Sequence, residues 1–170
     1  MAFILAQIVG LMATIVHIIS VQFKNKKYIL LFFLIANILF CINFLLLKSY
    51  TGAFISLVSA VQTCINNIYV DKGKSLPRNI LILFIIASLF IGIITYKRLI
   101  DVMPTIASIL YIFSITQNKE KNIRIITSLN ICIWIIYDMF VGAYTAALSD
   151  VIFIIFTIAA MYRYRVKKSQ

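Results

Sequence analysis

Two of the five acidic residues, Asp138 and Asp150, fall inside long apolar stretches. A carboxylate in such a stretch is costly in lipid and normally turns inward, toward a partner or a polar pathway. The turn between the two stretches centres near Tyr144, about six residues from each acid. At a helical rise of 1.5 Å per residue, both lie about 9 Å below that turn. If both face inward they form a carboxylate pair able to hold a proton between them. Such a pair would accept hydroxyls from a solute or couple its passage to protons. The competing reading is that Asp138 sits hydrated at the membrane interface. Trp134 and Tyr137 precede Asp138 by four and one residues. A ring that is apolar on its face and polar at its edge suits a sugar-like ligand, although interfacial aromatic belts are also common.

Other polar side chains recur at helical spacing. Ser56, Ser59, Thr63 and Asn66 form one stripe, which either lines a cavity or joins helices. Asn37 and Cys41 are four apart, with Asn43 nearby, and are expected to face the same space. His17 stands near the middle of the first apolar stretch. It reads as a pathway residue or, more simply, as a hydrogen-bond partner between helices. Cys41, Cys64 and Cys132 have no paired spacing and read as small apolar fillers. There is no nucleophile elbow, HExxH, phosphate loop or Cys/His metal spacing. No catalytic residue, metal or cofactor is expected, and the chain is not expected to be an enzyme.

The elements that must position these residues are membrane helices. The chain is 63% hydrophobic and 12% charged, with a mean hydropathy of +1.04; a soluble domain carries roughly a quarter charged residues. Seven segments approach the roughly 20 residues a bilayer requires: 3–23, 28–47, 51–70, 79–96, 100–117, 123–141 and 144–162. The first is too long and too polar, at Gln7 and His17, for a signal-peptide core, and reads as a retained helix. The net charge of +11 is dispersed in short clusters between spans, which argues against nucleic-acid binding. With the N-terminus outside and the C-terminus cytoplasmic, 13 of the 16 basic residues lie on the inner side, leaving only Lys48, Lys97 and Arg98 outside, as orientation by charge demands.

The chain also repeats itself. Residues 104–156 align with 10–62 at an offset of 94, matching Ala107 with Ala13, Ser114 with Ser20, Lys121 with Lys27, and Tyr144-Thr145 with Tyr50-Thr51. In this register Tyr111 answers to His17, two polar-tipped rings at equivalent depth, while Asp138, Asp150 and Trp134 answer to Phe44, Ser56 and Phe40. The expected fold is therefore all-α and integral to the membrane: a first three-helix unit (1–70), a linker with the fourth helix (71–99), and a second, parallel unit with a basic tail (100–170). Internal repeats commonly build small-solute transporters with the site between repeats. Expected partners are the lipid bilayer and a small polar solute, with a homo-oligomer left open.

The stretch Trp134-Ile135-Ile136-Tyr137, a short turn, then Ser149-Asp150-Val151-Ile152-Phe153 resembles the three-helix unit of SWEET and SemiSWEET sugar transporters. That resemblance implies the 3 + 1 + 3 layout and makes Trp134 and Asp150 pocket positions, Asp150 standing where that family has Asn. Ser20-Val21-Gln22 and Ser114-Ile115-Thr116-Gln117 lack the proline of that family's Pro-Gln motif. Leu5-Ala6-Gln7 with Val9-Gly10, Val102-Met103-Pro104-Thr105-Ile106, and Cys132-Ile133-Trp134 with Val141-Gly142-Ala143 are similar to the YgjV-type family of bacterial inner-membrane proteins. The resemblance implies location and fold rather than a substrate. The expected function is a small-solute carrier with Trp134, Tyr137, Asp138, Asp150, Asn37, Asn43, Ser56, His17 and Tyr111 around the solute. The alternative is a non-transporting accessory or structural membrane protein.

Overall fold

The structure, a computed structural model, describes residues 1–20 and 22–166, and side chains as far as Tyr162 apart from residue 160. Val21 and the tail cations Arg163, Arg165, Lys167 and Lys168, used above for the motif and the charge bias, lie outside the described side chains. The helices are α1 (Ala2–Ser20), α2 (Lys26–Leu46), α3 (Tyr50–Asp71), α4 (Arg78–Thr95), α5 (Val102–Thr116, preceded by a 3₁₀ turn at Leu99–Asp101), α6 (Glu120–Val141) and α7 (Tyr144–Val166). No strand occurs among the described residues. Each helix falls within a few residues of its expected span, because uninterrupted apolar runs leave the backbone no other way to satisfy its hydrogen bonds in lipid. Among the described residues, six helical segments are long and apolar enough to cross a membrane, and α7 is apolar over Tyr144–Ala159.

The ends follow local chemistry. Asn25 caps α2 by accepting a hydrogen bond from the Lys27 amide. α6 stops at Gly142, whose φ of 81° lies in the left-handed region, and the Ala143 amide returns to the Asp138 carbonyl. The same closure ends α2, where Ser49 returns to Phe44, but the left-handed residue there is Lys48, with φ 57°. Lys48 and Gly142 are 94 positions apart.

Packing runs in a ring. α1 packs on α2, α2 on α3, α3 on α5, α5 on α6, α6 on α7, and α7 returns to α1, while α4 lies outside against α3 and α5. α4 buries only Phe84 and Ser88, the latter bonded to Ser108 of α5. The α1/α7 seam is stitched by Gln7, which donates to the Gly142 carbonyl and accepts from the Thr145 amide. The α3/α5 seam is stitched by Thr63 with Tyr111 and by Asn66, which donates to the Ile115 carbonyl. The loops at α1–α2, α3–α4 and α5–α6 carry the basic clusters; we call this the basic end, and the other the turn end.

Candidate functional site

A cavity of about 40 Å³ lies inside the ring. Fourteen of its sixteen lining residues form seven pairs, each 94 positions apart. These are His17 with Tyr111, Phe33 with Thr127, Ala36 with Asn130, Asn37 with Ile131, Phe40 with Trp134, Phe44 with Asp138, and Ser56 with Asp150. Positions that the repeat relates in the chain therefore line the same cavity. The lining contains two carboxylates and no Lys or Arg. Asp138 and Asp150 are 1% and 4% exposed, so neither is hydrated at a surface, and the Asp138 Oδ1 atom has no protein hydrogen-bond partner. Both line the same cavity.

At both ends of the cavity, contacts run between the α1–α3 and α5–α7 segments. At the turn end, the Tyr137 hydroxyl shares a 2.5 Å hydrogen bond with Ser49 and accepts the Gly52 amide. Tyr137 meets Phe44 and Trp134 edge-on, and those two rings stack with centres 5.4 Å apart. Gly52 is required here, because a Cβ would stand 2.9 Å from the Tyr137 ring. At the basic end, Ile29, Leu30, Phe33, Ile115 and Ile123 close around Tyr111, whose hydroxyl accepts from Asn37 and bonds Thr63. Beyond them, Arg124 donates to the Phe23 carbonyl. One tyrosine of the second repeat therefore fastens each end to the first repeat.

A stretch of sequence covering residues 4–168 matches Imp-YgjV, a family described as bacterial inner membrane protein. The chain belongs to this family. It is accordingly a multi-pass protein of the bacterial inner membrane. Neither a curated protein nor a solved structure matches it.

In this Imp-YgjV member, seven of the nine residues singled out in the sequence, His17, Asn37, Ser56, Tyr111, Trp134, Asp138 and Asp150, line the cavity, while Asn43 and Tyr137 do not. Asn43 donates to the Ala6 carbonyl at 2.6 Å and so joins α2 to α1. Tyr137 is fully buried in the turn-end closure. Cys41 is half-buried against the same closure and does not reach the cavity. His17 Nδ1 has no protein partner, in place of the expected interhelical hydrogen bond; its ring stacks on Phe153 at 4.2 Å and meets Phe33 edge-on at 4.9 Å. The α3 stripe divides: Ser56 and Ser59 line the cavity, whereas Thr63 and Asn66 join helices.

Sequence reasoning missed Thr127, Asn130 and Ser108. Thr127, Asn130, Trp134 and Asp138 follow one another by three, four and four residues, so the helical stripe that places them on one face was readable. Asn130 also donates to the Ala107 carbonyl, holding α6 against α5. With hydroxyls, amides, carboxylates and one indole on a shared wall, the cavity can offer a solute both hydrogen bonds and an apolar face.

Proposed function

We propose that this protein carries a small polar solute, sugar-like or otherwise rich in hydrogen-bond donors, across the inner membrane. Two parallel three-helix units, residues 1–70 and 100–170, rock against each other around the cavity, with residues 71–99 as linker. The N-terminus is outside and the C-terminus cytoplasmic in this reading. The observation that carries it is the set of seven repeat-related pairs around a cavity that holds two buried acids and is flanked at each end by packed contacts between the two halves. Sites between repeats, closed on both sides by contacts between the moving units, are what alternating access requires. At about 40 Å³ the space holds a few water molecules, far below the several hundred Å³ of a solute pocket, so the reading assigns it to an occluded state that widens when either end opens. The protein acts as a carrier and not as an enzyme.

Purified protein in liposomes, tested with sugars, polyols and small amines, should give flux that Asp150→Asn and Trp134→Ala each reduce about tenfold, the loss of a charge-assisted contact in the first and of an aromatic stacking face in the second being of that order. Absence of both binding and flux across that panel would sink the carrier reading in favour of an accessory role.

A further inference from the structure

A second, larger cavity opens at the turn end, with a volume of about 340 Å³. Only Lys48, Lys97 and Arg98 of the chain's basic residues lie in the turn-end connections, and all three line it. They come from two separate connections, α2–α3 and α4–α5, which the packing of α4 on α3 brings side by side. The loop is held by a carboxylate: Asp101 Oδ2 accepts the Lys97 and Arg98 amides at 3.1 and 2.8 Å, and Oδ1 lies 3.6 Å from the Arg98 guanidinium. Lys97 Nζ stands 5.7 Å from the centre of the Tyr50 ring. Three cations against one carboxylate leave the pocket at net +2. The first turn of α3, with Ser49 and Thr51, forms part of the wall, adding the positive end of a helix dipole.

Lys48 makes the argument specific. Its backbone is left-handed, which disfavours a residue with a Cβ, and the other repeat places glycine at the equivalent position. Glycine would satisfy the turn without that penalty. Lys48 thus places a cation in the pocket wall at a backbone position that glycine fills in the other repeat, on the end of the molecule where basic residues are scarcest.

We propose that this pocket binds an anionic group, a phosphate or a carboxylate, clasped by Lys48, Lys97 and Arg98. A free anion and an anionic lipid headgroup present the same chemistry. Ser49 belongs both to the pocket wall and to the Tyr137 contact, so the occupant would sit against the turn-end closure. The site stands whether or not the central cavity carries a solute.

The full chain, purified in neutral detergent, is titrated with inorganic phosphate at constant ionic strength. In parallel, it is reconstituted in nanodiscs of phosphatidylcholine with and without phosphatidylglycerol, and retained lipid is counted by native mass spectrometry. Phosphate binding identifies a soluble anion; phosphatidylglycerol retention without phosphate binding identifies a headgroup. In either case Lys48→Gly and Lys97→Gln should each weaken binding about tenfold. Lys48→Gly keeps a turn the second repeat already makes with glycine, so its loss of binding is separable from misfolding, which thermal unfolding monitors. Failure of the wild type to bind either probe, or unchanged binding in both variants, overturns the proposal.

Discussion

The two repeats build the same wall from different chemistry. Across the central cavity the first repeat presents Phe33, Ala36, Phe40, Phe44 and Ser56, and the second answers with Thr127, Asn130, Trp134, Asp138 and Asp150. Asn37, answered by Ile131, and Ser59, whose counterpart Phe153 does not line the cavity, run against the trend. The same asymmetry governs closure, since both fastening tyrosines, Tyr111 and Tyr137, belong to the second repeat while their partners belong mainly to the first. At the helix ends it inverts, with glycine in the second repeat and lysine in the first. Equivalent positions thus share the cavity wall, but most of its polar chemistry is placed on the second repeat's side.

Making the halves alike should have the largest effect. The double substitution Asp138→Phe, Asp150→Ser gives the second repeat the first repeat's residues. In liposomes it should lower solute flux about 100-fold, two charge-assisted contacts being removed, while thermal unfolding shows a folded protein. Flux that survives would remove the acids from the site.

Gly52→Val tests the turn-end closure directly. Its Cβ would stand 2.9 Å from the Tyr137 ring and 3.1 Å from Phe44, and overpacking of this kind costs about 1–3 kcal/mol. In detergent, the variant should unfold at lower temperature, and a cysteine introduced at Ser56 in a cysteine-free background should label faster.

Tyr137→Phe and Asn43→Leu compare repeat-equivalent positions with different jobs. Tyr137→Phe strands Ser49 and the Gly52 amide and should cost about 1–2 kcal/mol. It should also raise labelling at position 56, because the lost bonds run between repeats. Asn43→Leu removes a bond between α1 and α2, so it should lower stability by about 1 kcal/mol and leave labelling unchanged. Equal labelling in both variants would break the distinction.

The smallest effect is expected at the left-handed positions. Lys48→Gly should stabilise by up to about 1 kcal/mol, and Gly142→Lys should destabilise by about as much, both read by thermal unfolding. Opposite signs at equivalent sites would confirm that Lys48 is held against its backbone preference.

Much of this organisation was readable in the residues. The apolar runs located every helix, and the 94-residue offset relates most of the positions that line the cavity, Asp138, Asp150 and Trp134 among them. What was misread has a common cause. Asn43 and Tyr137 are polar residues on the same helices as true lining residues, but each is turned toward a neighbouring segment, and helix rotation depends on which seam a helix joins. The convergence of Lys48 with Lys97 and Arg98 was equally hidden, because about fifty residues separate the two connections along the chain.

Sequence by itself determined that this is a multi-pass membrane protein with an internal repeat, since hydropathy, charge placement and periodic identity are properties of the chain in order. Only the tertiary structure decided which polar groups share a cavity, which fasten its ends, and where the three isolated cations meet. Those outcomes follow from how helices pair and rotate around a closed ring, and side-chain contacts across such seams join residues that sequence order does not relate.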